Sequence, residues 1–191
     1  MQTIYTRSIR ASMVSLYVRK KASGFSFMSD LLHNLTYERT DDMSVLSDFY
    51  CGIDEMDNYI HNKLQAKIGR MPELESYIIR ENGEIVAMTA IREKPLEFKT
   101  TDGNRFSIPA IEIEYLAVKK ELRDKGIGET VIQWIDNKAR TEHQDCKYLS
   151  VNALVDPDYG YTAVPFYEKC DFIPRKAHAM AEAVRMTRII K

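Results

Sequence analysis

The chain has 191 residues, 45% of them apolar and 29% charged, and its 27 basic and 28 acidic side chains leave a net charge of −1. That length buries one good core and not two, and the balanced charge lacks the global basic excess of a generic nucleic-acid binder. No run reaches the roughly 18 apolar residues of a membrane helix, and Cys51, Cys146 and Cys170 form neither a CxxC nor an even-numbered framework, which favours a reducing cytoplasm.

Residues 1–33 differ in composition from the rest, with Arg7, Arg10, Arg19, Lys20 and Lys21 and no acid before Asp30. They lack the continuous apolar core of a secretory signal. Two accounts stand side by side: translation from Met28, with the preceding residues an extension, or an arm packed on the domain or on a partner. The domain itself is taken as residues 34–191. His33, His61, His143 and His178 show no metal-ligand spacing, so no metal is expected.

"LTYER" (35–39) reads as a strand, and Thr40, Asp41 and Asp42 offer N-caps for a helical turn after it. Ile53, Met56, Ile60 and Leu64 recur at spacings of three and four, which predicts an amphipathic helix. Two β-prone runs flank Asn82-Gly83, a pair that tolerates the positive φ of a tight hairpin turn, and a second such arrangement surrounds Asp102-Gly103. A helix opened by Gly126 and Gly128 comes next, then a strand over 147–153, a short helix over 161–169 and a last strand over 184–190. Antiparallel β followed by β-α-β-α-β predicts an α/β (α+β) domain with a mixed, mostly antiparallel sheet.

Glycine is a poor helix former, so the opening of the helix at Gly126 and Gly128 needs a reason. The spacing excludes a Walker P-loop, and Val131 stands where a dinucleotide-binding fingerprint needs its third glycine. What fits is Arg/Gln-x-x-Gly-x-Gly/Ala, met by Arg123, Gly126 and Gly128. Backbone N–H groups from Lys125 to Thr130 would then form an anion site at the helix N-terminus, a cradle for a pyrophosphate, with no Cβ to hold the phosphates off at the two glycines.

Three blocks in order, Leu116-Ala117-Val118 ending a strand, Arg123-x-x-Gly126-x-Gly128, and Ala163-x-x-Phe166-Tyr167-Glu168-Lys169 closed by Phe172, resemble the GNAT superfamily of acetyl-CoA-dependent N-acetyltransferases over residues 35–190. "DFYCGIDEMDNYI" (48–60) resembles the Phe-x-Cys-Gly-x-x-x-Leu-Asp segment of the branch that includes toxins acetylating aminoacyl-tRNA, with Met56 in place of its usual Leu. Two departures stand out. Asp171-Phe172 replaces the usual Gly-Phe, so the turn must carry a side chain, as an aspartate in left-handed conformation does. Gly160 replaces an asparagine that many members carry, in a stretch (154–161) that looks longer than usual.

Acetyl transfer to an amine needs a proton acceptor, polarisation of the thioester carbonyl and a proton for the leaving thiolate. Glu112 and Glu114, two apart on a strand, emerge on one face, with Ile111, Ile113 and Tyr115 on the other; either glutamate is a candidate base. The resemblance implies that pantetheine pairs along Leu116, Ala117 and Val118 with the Val118 N–H near the thioester oxygen, that Arg123, Asp124, Lys125, Gly126, Ile127, Gly128, Glu129 and Thr130 hold the pyrophosphate, and that Tyr167 is the acid. Asn152 projects opposite Leu149, Val151 and Ala153 and is a candidate for the pantetheine amide; Tyr159 and Tyr161 are less specific. No cysteine is expected where an acyl-enzyme would need it, so transfer is expected to be direct, with acetyl-CoA and a primary amine bound together. The alternatives are a toxin-like aminoacyl-tRNA acetyltransferase with an antitoxin partner, and a catalytically silent acyl-CoA-binding module. A homodimer is a further expected assembly, and no membrane is involved. A chain beginning at Met28 is expected to fold and to bind acetyl-CoA; insolubility, or a melting temperature far below that of the full chain, would place the arm inside the domain.

Overall fold

A computed structural model describes residues 35–156, 160–175 and 182–191. The N-terminal segment, Tyr159, His33 and His178 lie outside the described residues. No described helix is long and apolar enough to cross a membrane.

The central sheet contains β1 (Leu35–Arg39), β2 (Glu75–Glu81), β3 (Glu84–Glu93), β6 (Ala110–Val118), β7 (Tyr148–Asp156), β9 (Ile173–Pro174) and β10 (Ala183–Ile189), in the order β1-β2-β3-β6-β7-β10-β9. A two-residue strand, β8 (Tyr161–Thr162), pairs with the end of β7. All of these pairs are antiparallel except β6–β7. The β2–β3 turn takes the predicted form, with Asn82 at φ 52° and Gly83 at φ 89°. The second hairpin forms around Gly103 (φ 91°) but stands apart, as a separate two-stranded sheet of β4 (Leu96–Lys99) and β5 (Arg105–Ile108). Pro109 cuts β5 from β6, because it has no N–H for a ladder.

Helices cover both faces. On one, α3 (Ile127–Glu142) sets Val131, Ile132 and Ile135 against Ile111, Ile113, Leu149 and Val151. On the other, α1 (Asp54–Asn62) and α2 (Leu64–Ile68) set Ile60, Leu64 and Ile68 against Ile78, Met88 and Ala117. The single predicted helix is therefore two, parted at Lys63 (φ −123°), while its apolar spacing runs on across the break into the same core. The short helix α4 (Val164–Lys169) starts later than expected, since Tyr161 and Thr162 extend onto β7 and Pro165 sits in its first turn. Asp171 adopts φ 66°, the left-handed conformation required of it.

One irregularity changes the predicted faces of β6. Ile113 pairs with Ile91 and Tyr115 with Ala90, so Glu114 is an extra residue, a β-bulge. Past it the alternation is shifted: Tyr115 and Ala117 pack on the α1/α2 side while Ile111 and Ile113 pack on the α3 side. Tyr115 therefore shares a side with the glutamates rather than opposing them, and Lys67 on α2 contacts both the Glu114 carboxylate and, at 3.3 Å, the Tyr115 hydroxyl.

Glu112 is 1% exposed and sits under three cations. Arg92 donates to it from Nε (3.0 Å) and Nη2 (2.7 Å), Lys94 at 3.0 Å and Arg185 at 2.6 Å, which ties β3 and β10 to β6. Burial pushes its carboxyl upward, but the hydrogen bonds from Lys94, Arg92 and Arg185 outweigh that and hold its pKa at about 2, below the ordinary 4.5. A depressed carboxyl stabilises the fold fully above its unfolded pKa, and that stability is lost as pH falls from about 4.5 towards 2. Glu112→Gln should cost about 2–4 kcal/mol at pH 7, at or below the range for breaking a buried pair, because Lys94 and Arg185 keep access to water. Urea unfolding of both proteins at pH 7 and pH 3 measures this; a loss at pH 7 below about 0.5 kcal/mol would mark the cluster as no stronger than a surface pair.

Candidate active site

The ladder between β6 and β7 runs from Ala110–Tyr148 to Ile113–Val151 and stops there, although both strands continue, to Val118 and Asp156. Beyond that point they part around a cleft of about 370 Å³. The Lys119 N–H donates to Val86 at 2.9 Å and the Tyr115 carbonyl accepts from Thr89 Oγ1 at 2.7 Å, so the odd residues 115, 117 and 119 present their backbone groups to β3. By strand alternation Leu116 and Val118 present theirs to the gap. Among the described residues, the cleft wall thus carries a strand edge whose Leu116 and Val118 backbone groups have no ladder partner on β7.

The N-terminus of α3 opens on the same cleft. Gly126 is its N-cap at φ 84°, preceded by Asp124 at φ 59°, and no side chain caps the helix. The first intrahelical bond runs from the Thr130 N–H to the Gly126 carbonyl at 3.0 Å, so the N–H groups of Ile127, Gly128 and Glu129 precede the ladder. The run of N–H groups outside the helix ladder is shorter than the predicted Lys125 to Thr130: the Thr130 N–H is consumed by the helix, and the Ile127 and Thr130 side chains are buried. Leu116, Ala117, Val118, Arg123, Asp124, Gly126, Gly128 and Glu129 line the cleft; Lys125, Ile127 and Thr130 do not.

The two glycines have different reasons. Gly126 is required by its left-handed backbone. A Cβ on Gly128 would lie 2.9 Å from the Phe166 ring, so Gly128 is the seat of α4 on α3. Arg123 also differs from expectation. Its guanidinium donates to the Cys51 carbonyl, and the Asp57 carboxylate accepts from the N–H groups of Cys51 (2.7 Å) and Gly52 (2.9 Å). The "CGIDEMD" segment is thereby strapped to the glycine turn, a long-range contact that neither motif announces alone.

Tyr167 lines the cleft, 6% exposed, with its ring edge-on to Phe166 (4.9 Å) and Phe172 (5.4 Å). Burial pushes its phenol well above the ordinary value of 10, so it holds its proton at neutral pH. Asn152 also lines the cleft and accepts from Arg185 at 3.3 Å. Tyr161 joins them, its phenol likewise raised by burial. The two glutamates separate: Glu114 lines the cleft, held by Lys67 and by Arg92 Nη2 at 2.9 Å, whereas Glu112 does not line it and is consumed by its three cations. Cys51 lines the cleft, a placement its sequence position did not disclose; burial, with the Asp57 carboxylate next, pushes its thiol to about 11, so it is no thiolate at neutral pH. Arg92, Arg185 and Lys67 were missed as site neighbours, since single cations on strands and helices carry no motif.

Residues 38–172 match the model of the acetyltransferase (GNAT) family. No curated protein sequence matches the chain. Among solved structures, a mutant AtaT toxin bound to the C-terminus of the antitoxin AtaR and acetyl-CoA is similar at 21% identity, covering 82% of this chain and 94% of that one with a TM-score of 0.61. The KacTA–DNA complex gives 14%, 82%, 93% and 0.59, and AtaT complexed with acetyl-methionyl-tRNAfMet gives 19%, 80%, 94% and 0.54. At these identities the likeness establishes a common fold. The parted strands, the uncapped glycine turn and the family match over most of the chain lead to one statement: this protein belongs to the GNAT acetyltransferase family and is an acyltransferase that uses acetyl-CoA.

Proposed function

We propose that the protein transfers acetyl directly from acetyl-CoA to a primary amine, with both substrates in the cleft at once. The observation that carries this is the gap between β6 and β7, which puts a free strand edge, an uncapped helix N-terminus and a protonated tyrosine around one volume. These parts fit the cosubstrate. The N–H groups of Ile127, Gly128 and Glu129, with the turn at Arg123, Asp124 and Gly126, would hold the pyrophosphate. Leu116 and Val118 would bond the pantetheine amides along the strand edge, with Asn152 facing them from β7. When bound, acetyl-CoA supplies an acyl group already activated as a thioester. The Val118 N–H polarises the carbonyl oxygen, and Tyr167 gives its proton to the departing sulfur. Glu114 is the glutamate that faces the cleft; it orients the amine and accepts its proton through water. Glu112 serves the strand, not the proton.

A narrower reading of the acceptor has its own support: the amine is the α-amino group of an aminoacyl-tRNA, and an antitoxin is the protein partner. The fold is shared with AtaT, a structure of which is complexed with acetyl-methionyl-tRNAfMet. The segment from Cys51 to Asp57 reaches the cleft wall through Cys51, Ile53 and Met56. Lys67, Arg92, Lys94 and Arg185 pair with Glu112 and Glu114, and Glu73 also acts on Arg92, so among the described residues four cations stand against three carboxylates there, a small local basic excess that the net charge of −1 conceals.

Tyr167→Phe should keep acetyl-CoA affinity while lowering kcat by about 10²–10⁴-fold, the usual cost of losing a general acid. Thiol release, measured over small amines, peptides and aminoacyl-tRNA, reads both the rate and the acceptor. Turnover of small amines alone removes the tRNA reading; no turnover on any acceptor leaves a silent acyl-CoA-binding module. The pyrophosphate assignment has a separate test. Gly126→Asn keeps a residue that tolerates the left-handed backbone but adds a side chain to the turn that carries the uncapped N–H groups, and it should weaken CoA binding by roughly tenfold (about 1.4 kcal/mol) in calorimetry. Unchanged affinity in the folded variant sinks that assignment.

A further inference from the structure

Of the four cations around the two glutamates of β6, Arg92 alone bonds both. Its Nε and Nη2 donate to Glu112 at 3.0 and 2.7 Å, and Nη2 also lies 2.9 Å from Glu114. Glu112 is its direct cross-strand partner, and Glu114 is the bulged residue. We propose that Arg92 is a positioning residue for acetyl transfer: its guanidinium, forked across Glu112 and Glu114, holds β6 in the bulged register that turns the Leu116 and Val118 backbone groups into the cleft.

The argument is one of parity. In the observed register Ala117 pairs with Met88 and Val118 with Ala87, and the odd residues bond β3. Without the extra residue, Glu114 would pair with Ala90, Leu116 with Met88 and Val118 with Val86. Every backbone group beyond the bulge would then exchange sides, because the strand period is two. Leu116 and Val118 would bond β3, and Ala117 would face the gap. The extra residue of the bulge, Glu114, is held on the α1/α2 side. Arg92 does this from β3, while Lys67 holds Glu114 and Tyr115 from α2. Lys94 contacts Glu112 without reaching Glu114, so it contributes charge without straddling the bulge. The planar guanidinium keeps Nε and Nη2 in a fixed relation, so it bonds Glu112 twice while Nη2 reaches Glu114; an ammonium can also bridge two carboxylates, as Lys138 does between Glu75 and Glu142, but its rotatable donors do not fix the geometry.

The kinetic consequence rests on the proposed role of the strand edge in acetyl transfer; the register itself does not. The test therefore begins without ligand, by amide hydrogen exchange in the full chain. In the wild type the Ala117 amide should be protected and those of Leu116 and Val118 should exchange freely. Arg92→Gln should reverse the order, with changes of about tenfold or more, and Arg92→Lys should move the same way. Lys94→Gln should leave the wild-type pattern. If Arg92→Gln does not fold, Arg92→Lys carries the reading. Wild-type exchange at 116–118 in a folded Arg92 variant overturns the proposal. With the acceptor in hand, the exchange-shifted variant should lose roughly 10²-fold in kcat, the scale of a misplacement of about 1 Å. Shifted exchange with an unchanged kcat would leave Arg92 setting the register and would overturn both its part in transfer and the placement of the cosubstrate on that edge.

Discussion

Where the β6–β7 ladder ends at Ile113–Val151, two strands that began as neighbours run on without bonding each other. A parallel pair buried between helix layers normally keeps its hydrogen bonds, because unpaired backbone in an interior is costly. The parting therefore leaves unpaired strand edge lining a cleft, able to bond a ligand that is itself extended and polar. The bulge at Glu114 sits at the branch point and decides which residues of β6 present that edge. The N-terminus of α3, the phenol of Tyr167 and the amide of Asn152 all matter because they border this one gap.

Around the gap, separate pieces of chain are tied to each other rather than to a ligand. Asp57 accepts from the Cys51 and Gly52 amides, and the Cys51 carbonyl accepts from Arg123, which fixes the start of α1 against the turn before α3. Gly128 lets Phe166 close on α3, which sets the position of α4 and so of Tyr167. Residues that a motif assigns to a cofactor are here structural: Arg123 and Gly128 fix the turn that carries the uncapped N–H groups.

The charges divide in a similar way. Glu112, buried under three cations, is held ionised well below the ordinary carboxyl pKa and is a poor proton acceptor for that reason. Glu114, two residues on, shares Arg92 yet reaches the cleft. Tyr167 keeps its proton because apolar neighbours desolvate it. Burial favours the neutral form of both groups; at Glu112 the cations beside it overcome that, and at Tyr167 it prevails.

The local signals were legible early. Hairpin turns, the glycine-opened helix, the left-handed Asp171 and the three family blocks depend on residues close in sequence, where φ preferences and apolar spacing act directly. The break at Lys63, the bulge at Glu114 and the side taken by Tyr115 were not legible, since each is set by a partner strand or helix dozens of residues away. The same holds for the two glutamates. Spacing alone put Glu112 and Glu114 on one face and made them equivalent, and only packing against Arg92, Lys94, Arg185 and Lys67 told them apart. Sequence by itself determined the family, the order of elements and the residues that could do chemistry. The tertiary structure decided which of those residues meet the cleft, because burial and ion pairing are properties of neighbours in space that spacing along one strand does not contain.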